Sequence, residues 1–170
     1  MNRIVHRVRD CRGVSLMEMM IITVIIGVMS AMAVPQWLKA LPRMRAQSAA
    51  REVVSALRIA RSESIARKEP FGINFDVSNN VYETFINRNN PAAATYTPGD
   101  SLVDSMLVYQ DAKIASQTFP TSAVVFNPDG SASSSGVVNL IAKDSCVVFT
   151  IDVLASTGRI RMTESPGPSN

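Results

Sequence analysis

The sequence has 170 residues, 46% of them hydrophobic and 18% charged, which suits one domain with a core and an additional segment but not two full domains. The formal net charge of +3 comes entirely from residues 1–13, because the rest of the chain has equal numbers of basic and acidic residues. A single histidine, His6, and two cysteines, Cys11 and Cys146, argue against histidine-dependent hydrolysis and metal binding, so we predict a structural or binding protein, with no enzymatic activity, cofactor or metal.

An apolar segment follows the basic start of the chain. Met19–Val34 has no charged residue, and Val14–Val34 contains only Glu18. A helix over residues 14–34 is roughly 31 Å long, enough to cross the hydrocarbon core of a bilayer. The basic flank predicts that the N-terminal side stays cytoplasmic and that everything after Pro35 lies across the membrane, in the periplasm.

Three interpretations of this segment compete. It is a permanent membrane anchor, a Sec signal peptide cut after Ala31-Met32-Ala33, or a prepilin segment cut on the cytoplasmic side after Gly13. Glu18 distinguishes them, because a carboxylate within a membrane span costs a few kcal/mol and neither an anchor nor a signal peptide needs one.

The sequence Gly13-Val-Ser-Leu-Met-Glu18 resembles the type IV prepilin motif. With Val14 counted as the first residue, Glu18 is the fifth and Pro35 the twenty-second, as in that family, although Phe or Met is commoner than Val at the first position. The resemblance implies that a prepilin peptidase cleaves between Gly13 and Val14 and methylates the new N-terminus. It also implies that Glu18 neutralises the terminal amine of a neighbouring subunit during assembly, which makes a buried carboxylate tolerable.

One long helix is predicted over roughly Val14–Arg67, ending before Glu69-Pro70. Pro35 and Pro42 are expected to bend this helix without ending it, since the helical periodicity resumes beyond them. Small and apolar residues at three- and four-residue spacings form the side expected to pack on the rest of the domain: Ala46, Ala49, Ala50, Val53, Leu57 and Ala60.

Beyond Pro70 the hydrophobic period changes to two, which predicts strands. A loop is expected over Asn87–Ser101, and a Pro-, Gly- and Ser-rich tail over Glu164–Asn170. The predicted strands are Phe71–Val77, Val81–Ile86, Leu102–Tyr109, Ala123–Phe126, Val137–Ala142, Val147–Leu154 and Arg159–Met162. We therefore predict an α+β fold, a helical spine carrying an antiparallel sheet. The expected segments are a cleaved leader 1–13, a membrane or filament-core helix 14–35, an amphipathic helix 36–68, a β-rich domain 69–163 and a loose tail 164–170.

Two C-terminal segments add to the resemblance. Phe126-Asn-Pro-Asp-Gly130 and Thr157-Gly-Arg-Ile-Arg161, separated by apolar strands, are similar to those of FimT/GspH-type minor pilins and pseudopilins. The resemblance implies a type IV pilin fold.

Arg159 and Arg161 are the candidate binding residues. In a strand they project from one face about 7 Å apart, which is close to the spacing of successive phosphates along a DNA strand. Gly158 precedes them and permits a tight turn, and Lys143 is a further candidate for the same patch. FimT-type minor pilins with a Gly-Arg-x-Arg motif are implicated in DNA capture during natural transformation, and this sequence matches that motif. The alternative is a solvated strand face, or ion pairs with carboxylates such as Asp152.

Charge is segregated between the helix and the sheet region. Residues 39–68 carry eight basic and two acidic residues, whereas residues 69–158 carry three basic and nine acidic ones. We favour intramolecular complementarity or packing against a neighbouring subunit over DNA binding by the helix. Cys146, flanked by apolar residues, is expected to be a small buried hydrophobic side chain.

The sequence thus predicts a minor pilin of a type IV pilus that presents its globular domain near the tip, with DNA uptake as one role. Two other roles are open, a priming minor pilin without DNA binding and an H-type minor pseudopilin of a type II secretion system. The expected partners are other major and minor pilins, prepilin peptidase, the inner-membrane assembly platform and, for the first role, DNA. The expected location is the bacterial inner membrane before assembly and the fibre afterwards.

Overall fold

The computed structural model of the chain describes residues 14–90, 93–97, 99–108, 112–142 and 147–167, with the backbone alone described at positions 35, 36 and 39. The predicted cleavage residue Gly13, together with Lys143 and Cys146, lies outside the described residues. The chain divides into two compact units, Met1–Lys39 and Ala40–Asn170.

Helix α1 spans Leu16–Arg67 and includes both prolines, which confirms the predicted long helix. In the first unit, Leu16–Val34 is long and apolar enough to cross a membrane, and none of it is buried within the chain. Glu18 lies in the first turn, where a carboxylate interacts favourably with the partial positive charge of the helix N-terminus.

In the second unit, α1 packs through the predicted row of small and apolar residues, all of which are buried. Alanines in this row let the sheets approach the helix closely. The helix ends as Lys68 adopts a left-handed conformation, with φ of 58°, and the following Pro70 cannot continue the helical hydrogen bonding.

The strands form two antiparallel four-stranded sheets, which corrects the prediction of one sheet. The first has the order β3-β2-β1-β5 and the second β4-β6-β7-β8. The strands of the first sheet are β1 (Phe71–Asp76), β2 (Val81–Ile86), β3 (Ser101–Leu107) and β5 (Ala123–Phe126). Those of the second are β4 (Ala112–Gln117), β6 (Gly136–Ala142), β7 (Val147–Leu154) and β8 (Arg159–Pro166).

Two strand assignments differ from the sequence prediction. Strand β4 was not predicted, because its buried residues Ala112 and Ile114 are followed by a register shift that ends the alternation. Strand β8 continues to Pro166 along the edge of its sheet, so the segment expected to be a loose tail from Glu164 begins as paired strand. An edge strand tolerates proline there, since only one side of it needs ladder hydrogen bonds.

One hydrophobic core joins α1 to both sheets. It includes Leu57 of the helix, Phe71 and Phe75 of β1, and Phe149 and Ile151 of β7. Burial of these side chains together fixes the helix against the sheets, and it therefore determines which helix side chains lie beside the strand ends.

Asp100 organises the loop that crosses the outer side of the first sheet. Its carboxylate accepts hydrogen bonds from the backbone amides of Arg88, Asn89 and Thr97 and from the Thr97 hydroxyl. Burial alone would raise the pKa of Asp100, but these four hydrogen bonds outweigh it and hold the pKa below its usual value. The loop predicted from sequence therefore has a defined anchor.

Candidate nucleic-acid interface

Strand β8 positions the two predicted arginines on the outer face of the second sheet. It pairs antiparallel with β7, so that Arg161 lies opposite Asp152 and Arg159 opposite Leu154. The intervening Ile160 packs against the core, while both arginines are exposed. The alternation of the strand thus anchors β8 through one face and leaves the guanidinium groups free on the other.

Neither arginine is in an ion pair with any described residue. The ion pairs among the described residues include those of Arg43 with Glu164, Arg67 with Glu63 and Arg88 with Glu69. Asp152 lines the same surface groove of about 340 Å³ as Arg159 and Arg161, but no ion pair within 4.0 Å joins it to either. The pairing with Asp152 that the sequence left open is therefore absent among the described residues.

The turn before β8 is held against a second turn by a side chain of α1. Gly158 has φ of +59°, and a Cβ built on it would lie 2.2 Å from the carbonyl oxygen of Gly130. Arg61 Nε donates a hydrogen bond of 2.9 Å to the same oxygen. The two C-terminal segments singled out in the sequence, each containing one of these glycines, therefore lie in direct contact.

The Gly130 turn has its own internal hydrogen bonds. The Gly130 amide donates to the carbonyl oxygen of Asn127, and Asp129 accepts hydrogen bonds from the side chain and the amide of Ser131. The hydrogen bond from the Ser131 hydroxyl, followed by that from its amide, lowers the pKa of Asp129. Asp129 is therefore ionised at neutral pH and keeps this turn closed beneath Arg61.

Arg58 of α1 is a third arginine beside the two of β8. Arg58 and Arg61 line a groove of about 510 Å³ together with Thr157, Gly158 and Arg159. Arg159 lines both this groove and the one containing Arg161, so a continuous row of arginines runs from α1 to β8. We call Arg58, Arg159 and Arg161 the arginine surface.

The sequence does not place Arg58 at this site, because intramolecular complementarity or packing against a neighbouring subunit is favoured for the basic residues of the helix. Of those residues, Arg43 does pair with β8, and Arg67 pairs within the helix and lies over the ring of Phe71. The sequence feature that could identify Arg58 as part of the site is its three-residue spacing from Arg61, which places both side chains on one side of a helix.

The chemistry of the arginine surface is that of an anion-binding site. Guanidinium groups are always charged, donate several hydrogen bonds and match the geometry of phosphate oxygens. Among the described residues there is no group of three or more His, Cys, Asp or Glu side chains that would hold a metal ion. The surface can therefore hold a chain of phosphates.

The other predicted functional residues lie in the first unit. Val14 is exposed and precedes α1, Glu18 is exposed in the first helical turn, and the backbone at Pro35 is helical. Val14 and Glu18 are four residues apart at the start of the chain that the structure describes.

Comparisons with known proteins agree with this architecture. Residues 49–166 match the family described as type II transport protein GspH, and residues 8–34 match the prokaryotic N-terminal methylation motif. No curated protein sequence matches significantly.

Two solved structures share the fold. The minor pseudopilin EpsH of the type 2 secretion system of Vibrio cholerae superposes with a TM-score of 0.55 and 12% identity, covering 70% of this chain and 96% of that one. The type IV minor pilin FimU of Pseudomonas aeruginosa has a TM-score of 0.54 and 14% identity, covering 71% of this chain and 90% of that one. The predicted α+β type IV pilin fold is confirmed.

Proposed function

Since this chain belongs to the GspH family, and is thus a minor pilin or pseudopilin that assembles with other such subunits, we propose that it enters a type IV pilus and there binds DNA through the arginine surface. The observation that carries the proposal is the row of three exposed arginines, each without an ion pair among the described residues. A cluster of exposed arginines is the usual electrostatic footprint of phosphate binding.

Assembly depends on the N-terminal segment in this proposal. Prepilin peptidase cleaves between Gly13 and Val14, and the inner-membrane assembly platform then extracts the subunit, whose globular unit lies in the periplasm. The Glu18 carboxylate neutralises the terminal amine of a neighbouring subunit, while the apolar span up to Pro35 packs in the filament core. The exposed apolar surface of Leu16–Val34 supports this role, because such a surface must be covered by lipid or by other subunits.

The geometry of β8 supports the proposed DNA binding. Arg159 and Arg161 project from one face about 7 Å apart, so each can contact one of two successive phosphates. Arg58 adds a third positive charge along the adjoining groove. These contacts are to the backbone of the nucleic acid, so we expect binding without sequence preference.

The test is a salt titration of the mature full-length chain in neutral detergent micelles, with fluorescent duplex DNA and anisotropy as the readout. Three phosphate contacts give a slope of log K against log salt of about −2.7, which is about a 40-fold loss of affinity between roughly 50 and 200 mM salt. In the Arg159→Gln, Arg161→Gln double variant the slope falls to about −0.9.

Arg88→Gln is the matched control, because it removes an exposed arginine that is paired with Glu69. It should keep the wild-type slope. Equal slopes for the wild type and the double variant would refute the assigned site, and absence of binding at the lowest salt would refute the DNA-binding role.

A second candidate is a minor pseudopilin of a type II secretion system. The description of the matched family favours it, and it assigns the same assembly role to Glu18 without any nucleic acid. A priming minor pilin without DNA binding makes the same assignment. The genes beside the coding sequence distinguish the two systems, since secretion and pilus components are encoded with their own partners.

A further inference from the structure

Strand β3 forms one outer edge of the first sheet, and six of its seven residues are exposed. Natural edge strands are usually protected by lysine, proline or a covering segment. The sequence of β3, Ser-Leu-Val-Asp-Ser-Met-Leu, contains neither lysine nor proline. A bulge lies near its start, where the register shifts opposite Thr84 and Phe85, but the remainder pairs regularly with β2.

The backbone of β3 has hydrogen-bonding groups that point away from β2. The Val108 amide donates to the carbonyl oxygen of Asn80 at 3.0 Å, so Asn80 and Val108 occupy a hydrogen-bonded position of the antiparallel ladder. Hydrogen-bonded and non-hydrogen-bonded pairs alternate along an antiparallel ladder. The register therefore directs the amides and carbonyls of Leu107 and Ser105 outward. The outward amide of Ser105 donates to the neighbouring carboxylate of Asp104 at 2.9 Å.

An apolar groove of about 210 Å³ lies between this edge and α1. Its lining includes Ala56 and Ile59 from the helix and Val103 and Met106 from β3. Ile59 and Val103 are 56% and 55% exposed, which is a large exposure for side chains beside an open edge. An added strand would cover both of them.

Two carboxylates give the groove a negative potential. Glu52 and Asp104 both line it, and neither is in an ion pair with a described basic residue. Tyr82 lines the same groove, with its hydroxyl 3.5 Å from a Glu52 carboxylate oxygen. Burial, and then the charges of Glu52 and Asp104, raise the pKa of Tyr82 to about 12. A positive side chain placed here would be favoured by both carboxylates.

We propose that an extended strand of another pilin-type subunit adds to the β3 edge, with its apolar side chains over Ile59 and Val103 and a lysine or arginine between Glu52 and Asp104. Main-chain hydrogen bonds to Leu107 and to the carbonyl oxygen of Ser105 supply affinity, and the groove selects a strand that alternates apolar and basic residues. The proposal rests on the assembly of this family with other subunits and does not require DNA binding, since none of the three residues of the arginine surface lines this groove.

The test is site-specific photo-cross-linking of the full-length chain in membranes of its native cells, with the photoreactive residue in place of Leu107. We expect an adduct with another pilin-type subunit, identified by mass spectrometry. Ser105→Pro should reduce the adduct about tenfold, because the proline ring lies on the outward edge, where the added strand would pair, while the ladder to β2 stays intact. Ser105→Ala keeps the amide and is the matched control.

The Glu52→Lys, Asp104→Lys variant provides a second test that leaves the backbone unchanged, and it should also reduce the adduct about tenfold. Absence of an adduct, or an adduct unchanged by both Ser105→Pro and the charge reversal, would overturn the proposal. An adduct with a second copy of this chain would also overturn it. The Arg159→Gln, Arg161→Gln variant should leave the adduct unchanged, which separates this interface from the DNA-binding proposal.

Discussion

Replacing Gly158 by alanine should destabilise the globular unit, because this residue joins the two turns beneath the arginine surface. Its φ of +59° is left-handed, which costs a residue with a Cβ about 1 kcal/mol or slightly more. The added Cβ would lie 2.2 Å from the Gly130 carbonyl oxygen and 2.8 Å from Arg61 Nε. Backbone displacement to relieve such an overlap costs about 1 to 3 kcal/mol.

The expected loss is therefore about 3 kcal/mol, because the displacement also lengthens the hydrogen bond from Arg61 to Gly130. For a unit of this size, such a loss lowers the Tm by about 10 °C. Thermal unfolding of the mature chain in detergent micelles, followed by circular dichroism, measures the change.

Thr157→Ala is the control, since Thr157 is exposed in the same turn and already carries a Cβ. It should change the Tm by less than about 2 °C, as most surface substitutions do. A Tm of the Gly158→Ala variant within that range of the wild type would refute the close contact between the two turns.

Two further predictions concern carboxylates. Because hydrogen bonds hold the pKa of Asp100 below its usual 3.8, its contribution to the free energy of unfolding is present above that pH and is lost as the pH falls through the folded-state pKa. Asp100→Asn should lower the free energy of unfolding by roughly 2 kcal/mol at neutral pH. It should also make that free energy fall less steeply below about pH 4, as measured by urea unfolding at several pH values. An unchanged pH profile would contradict the assigned hydrogen bonds. Glu18→Ala should leave a mature N-terminus at Val14 by mass spectrometry yet prevent entry into filaments, measured in sheared fibre fractions. Normal incorporation would remove the role proposed for Glu18.

The strands with clean alternation were predictable from sequence. Strands β2, β5 and β7 have the predicted bounds, because each is rich in β-branched and aromatic residues. Strand β4 depends on a contact distant in sequence. Asn80 accepts a hydrogen bond from the Ile114 amide and donates one to the Ala112 carbonyl, so a side chain of the first hairpin holds this strand in place. No local period reveals such a contact.

The division into two sheets was not predictable for a related reason. Alternation indicates which residues of a strand face the core, but it does not determine which strands are neighbours. The candidate site was likewise predictable only within a single strand. Arg159 and Arg161 follow from the period of one strand, whereas Arg58 joins them only through the packing of α1 about a hundred residues earlier.

The alternation of β8 also has an evolutionary consequence. Ile160 and Met162 hold the strand to the core, and Arg159 and Arg161, which alternate with them, face solvent. Substitutions at positions 159 and 161 therefore change the surface that the subunit presents while leaving its packing intact. A lineage can gain or lose a ligand at this edge by one or two point mutations, without passing through an unfolded intermediate. Such a strand allows one scaffold to diversify among fibres with different tasks.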